Sequence, residues 1–205
     1  MEPLTEPSID EVPDAVDPAE GSEKPTVPAG DSRGVGRTVF EWVGLVVLAL
    51  IIALLIKTFL FQAFYIPSES MVPTLKVHDR VLVNKLSYKL HDVHRGDIVV
   101  FKAPPNADPG IDDLVKRVVG LPGDVVEGHG GHVYINGKRL PETYLPVGVT
   151  TSAFDARKIP KDSYWVMGDN RGNSKDSRSF GFITKGQIVG RVFLRIWPLT
   201  RISIM

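Results

Sequence analysis

A mainly β, antiparallel domain behind one N-terminal transmembrane helix is the architecture this sequence predicts, on three observations. A long uncharged apolar run, Trp42 to Ile56, stands about a fifth of the way along the chain. After it come short segments rich in β-branched and aromatic residues, punctuated by Gly and Pro and lacking a sustained helical stripe. Before it lies a stretch with almost no large apolar residue.

That leading stretch, residues 1–31, carries nine acids against one base, Lys24, together with six prolines. Such a segment buries too little surface to offset its ordering entropy, so residues 1–38 are predicted to be a disordered acidic tail. The formal net charge of zero conceals a split: the tail is −8, and the remaining residues, with 23 Lys and Arg against 15 Asp and Glu, are +8. A mildly basic domain held against a membrane favours anionic headgroups. It is not basic enough to argue for nucleic acid. Cysteine is absent, which excludes disulfides, zinc–thiolate sites and a Cys nucleophile.

The apolar run, extended by Phe40 before it and Thr58–Phe61 after it, reaches the roughly 20 residues needed to span a bilayer. A transmembrane helix is therefore predicted over 39–61. A buried core helix would show a polar face at period 3.6, and this segment is apolar all round. A cleavable leader would begin near residue 1 with a basic region and end at a small-residue site; here an acidic stretch precedes and no A-x-A follows. Glu41 and Lys57 lie near the ends, where a lysine stem can snorkel to the headgroups. Arg33 and Arg37 before the span nearly balance Lys76 and Arg80 after it, so charge leaves the orientation open.

Residues 62–205 are long enough for one domain with its own core. Strands are predicted at Val81–Asn84, Asp97–Phe101, Val115–Val119, Asp124–Glu127, Tyr164–Met167 and Ile188–Trp197. Val133–Ile135 and Lys138–Leu140 flank Asn136-Gly137, the strongest short hairpin signal.

Just beyond the span stands Pro67-Ser68-Glu69-Ser70-Met71-Val72-Pro73-Thr74-Leu75. A serine so placed reaches bonds only in a narrow layer at the bilayer surface. It is a weak nucleophile at neutral pH and needs a base within hydrogen-bond reach and donors for an oxyanion. His78, His91, His94, His129 and His132 all lie in polar loop contexts and read as surface residues, with a metal site the minority reading. Lys116, among Val115, Val118 and Val119, is the better candidate if burial lowers its pKa; by itself the segment favours an ordinary surface lysine on an alternating strand. A third motif, Gly168-Asp-Asn-Arg-Gly-Asn-Ser-Lys-Asp-Ser-Arg178, reads as a hydrogen-bonded functional loop whose hydroxyls, at Ser174 or Ser177, could orient a lysine, and whose Asp176 and Arg178 could pair.

Taken in order, Ser70-Met71 within P-S-x-S-M-x-P-T-L, Arg95-Gly-Asp-Ile-Val-Val-Phe101, Lys116-Arg-Val-Val-Gly-Leu-Pro-Gly-Asp124 and Gly168–Arg178 resemble the four signature boxes of bacterial type I signal peptidases. The resemblance runs from the anchor to about Trp197. It implies an antiparallel β catalytic domain and a serine endopeptidase that removes signal peptides from secretory precursors through a Ser/Lys dyad. By the same resemblance Ser70 is the nucleophile, Lys116 the general base, Ser68 an oxyanion donor and Ser174 the residue that aims Lys116. Asp176 and Arg178 support that loop. Ile66, Pro67, Met71, Leu75, Val100, Leu114 and Val115 surround two shallow pockets for small side chains at −1 and −3. The family also implies a cytoplasmic tail, an extracytoplasmic domain over 62–205, and neither metal nor cofactor. Glu69 and Gly172 fill positions where the family varies, and neither removes a reacting group. A soluble self-cleaving Ser/Lys repressor would need a DNA-binding segment, which is not visible. A catalytically dead anchored binding module would have lost a dyad member, and Ser68, Ser70, Lys116 and Ser174 all stand.

Overall fold

The computed structural model describes residues 32–107 and 109–205. The disorder expected for residues 1–31 lies outside the described residues. The chain divides into two units, Met1–Gly44 and Leu45–Met205, with the division falling inside α1 (Ser32–Phe59). Within α1, Gly36–Ile56 is long and apolar enough to cross a membrane, its 21 residues rising about 31 Å at 1.5 Å each. Its large side chains from Val39 to Ile56 are exposed, as expected for a helix that is apolar all round. Glu41, the awkward acid of this segment, pairs with Arg37 one turn earlier at 3.1 Å.

Both predicted ends of this helix need correction. Residues 32–38, expected to be disordered, are helical: Pro28 is the last proline before the span, and a helix already nucleated downstream extends at little further cost. At the other end the helix stops at Phe59, and Phe61 opens β1 (Phe61–Tyr65). Apolar character alone did not separate the two elements. Pairing of Phe61 with Asn84 did.

The larger sheet runs β1, β2 (Arg80–Asn84), β11 (Ile188–Trp197), β3 (Ile98–Lys102), β4 (Asp113–Gly120), β9 (Ser163–Met167), β10 (Ile183–Thr184), with β12 (Ser203–Ile204) beside β11. A smaller sheet runs β7 (Lys138–Arg139), β6 (His132–Ile135), β5 (Val125–His129), β8 (Phe154–Lys158). The strand pairings are antiparallel in both. Among the described residues the α-helices after the anchor are short, α2 (Ser87–Leu90) and α3 (Ser177–Phe180), and brief 3-10 turns stand at Lys185–Gln187 and Leu199–Arg201. The Asn136-Gly137 turn has φ of 52° and 76°, which sets Ile135 opposite Lys138 as the dipeptide predicts.

Strand β3 explains the core. Its apolar run Ile98-Val99-Val100-Phe101 has no polar alternation because both faces are covered. Val100 packs with Ile66, Met71, Leu75, Val81 and Val83. Val99 and Phe101 point the other way, toward Val118, Val166 and Phe180. A third cluster joins Val119, Trp165 and Met167 of the larger sheet to Val126 and Val133 of the smaller one. Burying one such aliphatic side chain contributes about 1.5–3 kcal/mol. The turn that follows β1 is therefore seated on the core through Ile66, Met71 and Leu75, which are 3%, 1% and 0% exposed.

Candidate active site

Ser70 lies on that turn, immediately before the buried Met71, while Lys116 extends from the middle of β4. Anchoring on a packed turn and a central strand holds both with little freedom. Lys116 Nζ donates to Ser70 Oγ at 2.8 Å and to the Val115 carbonyl at 3.0 Å. The lysine is 2% exposed. Burial, only partly opposed by the carboxylates of Asp176 and Asp169, pulls its pKa from 10.5 down to about 8. The surface-lysine alternative thus gives way to a buried amine in contact with a serine hydroxyl. Ser68 Oγ stands 3.3 Å from Ser70 Oγ, on the exposed side of the turn.

The loop Gly168–Arg178 closes over this pair. Asn170 N donates to the Ser70 carbonyl at 3.1 Å and Asn170 Nδ2 to the Glu69 carbonyl at 3.2 Å. Gly168 has no room for a side chain: a Cβ there would lie 2.4 Å from the Ser70 carbonyl oxygen and 2.2 Å from Ser174 Oγ. Asp176 accepts from Gly168 N at 3.0 Å, caps α3 through Arg178 N, and takes the Arg178 guanidinium at two points, each 2.8 Å. Ser177 Oγ accepts from Val166 N at 2.9 Å.

The hydrogen bond expected from Ser174 to the Lys116 amine is not formed. Ser174 Oγ is buried against Gly168 without a hydrogen-bond partner among the described residues, and the amine is turned to Val115 instead. The pocket residues divide as well. Ile66, Pro67, Met71, Leu114 and Val115 line a cleft of about 170 Å³ that also holds Ser70 and Lys116. Leu75 and Val100 do not reach it; both are fully buried in the core behind it, because the alternation of β3 and the helical turn of 71–75 direct them inward. Ile111 and Tyr65, unanticipated, line the same cleft. A second, more polar cleft of about 280 Å³ leads away past Glu69 and Asn173. Three of the histidines are engaged elsewhere: His78 with the Tyr65 hydroxyl, His91 with the Asp92 carbonyl, His129 stacked on Tyr134.

Sequence reasoning missed Asp169, Arg117 and Thr74. Asp169, 1% exposed, accepts from Arg117 Nε and Nη2 at 2.9 and 2.7 Å and from Thr74 Oγ1 at 2.5 Å. These bonds join the turn that carries Ser70, the strand that carries Lys116 and the closing loop at one carboxylate. An arginine beside Lys116 in a valine-rich strand was the available signal. The charged residues of the second motif are structural: Arg95 pairs with Asp124 at 2.8 Å, and Asp97 caps His94 N at 2.9 Å and accepts from Tyr88 at 3.0 Å.

The family described as signal peptidase, peptidase S26, matches residues 39–197. The chain is 44% identical over 161 residues to a probable signal peptidase I-2 of Synechocystis sp., covering 78% of this chain and 73% of that protein. It is 41% identical over 183 residues to signal peptidase I of Leptolyngbya laminosa, covering 87% and 90%. To signal peptidase IB of Staphylococcus aureus it is 39% identical over 181 residues, covering 80% and 92%.

Proposed function

Because this chain belongs to the signal peptidase family, peptidase S26, we propose that Ser70 and Lys116 are the dyad with which it carries out that family's hydrolysis. Its activity is that of a type I signal peptidase, a serine endopeptidase acting on signal-peptide-bearing proteins. The observation that carries the assignment is the 2.8 Å contact between Ser70 Oγ and a buried Lys116 amine.

In this reading the neutral amine takes the Ser70 proton as Oγ attacks the scissile carbonyl. The oxyanion meets the Ser70 N–H and the Ser68 hydroxyl. Lys116 then returns the proton to the leaving amine of the mature segment, and in the second half takes a proton from the water that hydrolyses the ester on Ser70 and gives it to the Ser70 oxygen as that ester breaks. An ammonium has three donors, and Ser174, whose buried hydroxyl has no partner among the described residues, is the acceptor proposed for the one that Ser70 and Val115 leave over. Asp176 and Arg178 hold the loop that carries Ser174. No step calls for a metal or cofactor.

The cleft lined by Ile66, Pro67, Met71, Leu114 and Val115 would take the residue at −1. It is small and apolar, so Ala, Gly and Ser are expected there, with Phe or Lys at −1 cleaved at least about 100-fold more slowly. The assay uses the full-length protein in detergent with one secretory precursor varied at −1. Equal rates for Ala and Phe would refute the pocket.

For topology, the reading is a cytoplasmic N-terminus, a helix over Gly36–Ile56 and a catalytic domain outside the cytoplasmic membrane. The chain has no cysteine, so Lys138→Cys, on the exposed hairpin, supplies a unique thiol. It is expected to react with a membrane-impermeant maleimide in intact spheroplasts; labelling only after lysis would reverse the orientation.

A further inference from the structure

Residues 141–152, between β7 and β8, lie outside all four sequence motifs, yet they reach the loop that closes the active site. The Glu142 carboxylate takes both ends of the Arg171 guanidinium, at 2.9 Å from Nη1 to Oε2 and through a shorter bond from Nη2 to Oε1. Thr151 Oγ1 accepts from the same Nη1 at 2.8 Å, and the Tyr144 hydroxyl donates to Glu142 Oε1 at 2.7 Å. The Tyr144 ring faces the Arg117 guanidinium, 4.1 Å from its centroid. Ser152 Oγ accepts from Arg178 Nη1 at 3.0 Å. One loop therefore meets Arg117, Arg171 and Arg178, which in turn hold Asp169, the Gly168 carbonyl and Asp176.

We propose that Glu142 and Tyr144 are positioning residues of the peptidase reaction, acting through Arg171 to set backbone 168–171 against the Ser70 carbonyl and so to keep Ser70 Oγ in reach of Lys116. The proposal rests on the dyad reading above. Its route is short. Arg171 Nε donates to the Gly168 carbonyl at 3.1 Å, and the neighbouring Asn170 N holds the Ser70 carbonyl at 3.1 Å. Gly168 packs so closely on Ser70 that not even a methyl group fits between them. The Arg171 side chain is 0% exposed, so its guanidinium relies on the carboxylate as its counter-charge: burial disfavours the cation, and the hydrogen bonds and charge of Glu142 more than offset that. Without the carboxylate an enclosed cation is left unpaired and must move toward water, carrying the backbone at 170–171 with it. A shift of about 1 Å at a reacting group costs about 100-fold in rate.

The test uses the full-length protein in detergent with a secretory precursor, comparing Glu142→Gln and Tyr144→Phe with the parent. The first keeps size while removing charge; the second keeps the ring on Arg117 while removing the bond to Glu142. Glu142→Gln is expected to lower kcat by about 10–100-fold, and Tyr144→Phe by about 3–10-fold, with KM within about twofold of the parent. A second readout is the acidic limb of kcat/KM. The groups that face Lys116 are Ser70 on the nucleophile turn and Asp169 and Asp176 on the closing loop, with Arg117 next along its own strand and Glu69, Asp113 and Lys175 lining the clefts that hold the amine. Loosening that loop admits water to the amine, weakens the burial that lowers its pKa and moves the limb upward from about 8. Lowered kcat with the raised limb supports the proposal. Parental kcat in both variants, or a loss that follows the folded fraction by circular dichroism and leaves the limb in place, overturns it. If Glu142→Gln does not fold, Tyr144→Phe decides by the same two readouts. Failure of the dyad reading would appear separately, as turnover by Ser70→Ala or Lys116→Met.

Discussion

Ser70→Ala and Lys116→Met are each expected to lower precursor cleavage by about four orders of magnitude or more, and Lys116→Met to remain at least as stable as the parent near pH 7. The first expectation follows from roles that neither residue can take over from the other. The second follows from the lysine's burial. Its pKa of about 8 in the folded protein lies below the 10.5 of the unfolded chain, so between those values the unfolded chain binds more protons and stability rises with pH. Below about 8 both states carry the charge and the cost of burying it is present in full, on the order of 3 kcal/mol. Methionine keeps the apolar stem and removes the charge. It also removes the bonds to Ser70 and Val115, each contributing about 1 kcal/mol, so the net change is small and favourable. The advantage should fade as pH rises from about 8 toward 10.5. Thermal midpoints of the two full-length proteins at pH 7 and pH 10 check this. A clearly lower midpoint for the Met variant at pH 7 would mean that the amine is a stabilising ion rather than a buried base. In the parent, kcat/KM should rise about tenfold per pH unit up to about 8 and then level, reporting deprotonation of this amine.

Asp169→Ala is expected to destabilise the protein by about 3–5 kcal/mol, the cost of removing one partner of a buried ion pair. Asp169 is the acceptor for two Arg117 nitrogens and for Thr74, and its side chain is wholly enclosed. Alanine leaves the Arg117 guanidinium, 9% exposed, facing a void where its counter-charge stood. The Tyr144 ring offsets part of this, about 0.5–2 kcal/mol, and cannot replace a doubly bonded carboxylate. For a domain of this size the loss corresponds to a fall in melting temperature of roughly 10 °C or more. A fall of only one or two degrees would show that water or Tyr144 already satisfies Arg117. Because the same carboxylate ties the turn that carries Ser70 to the strand that carries Lys116, catalysis should fall even in the fraction that remains folded.

The distance between these two variants in sequence terms is instructive. Ser70 and Lys116 were singled out from the chain because a serine nucleophile needs a base and the resemblance of the surrounding motifs to the signal peptidase boxes paired the two. Asp169 was passed over, though it stands inside one of those motifs, because nothing in a linear pattern says which of several charges in a polar loop will be enclosed. Leu75 and Val100 erred the other way: both are apolar and near the site, and the alternation of β3 together with the turn at 71–75 sends them into the core. Strand β8, Phe-Asp-Ala-Arg-Lys, carries too many charges to read as a strand and forms by pairing with β5.

What this sequence determined by itself was whatever depends on local chemistry and short-range geometry. The apolar run between Gly36 and Ile56 can satisfy its backbone only as a helix if it lies in lipid. The Asn136-Gly137 turn requires positive φ, which those residues tolerate. The β-branched runs fit a pleated, covered surface. The tertiary structure alone decided whether Lys116 is a solvated ammonium or an amine with its pKa near 8, because that depends on the atoms packed around it and not on its neighbours in the chain. It alone placed Glu142 on Arg171, across 29 positions, and left Ser174 without the bond expected of it. The physical reason is common to all three: the energy of a polar group is set by the dielectric and the partners that surround it, and in a β fold those partners come from strands and loops distant in sequence.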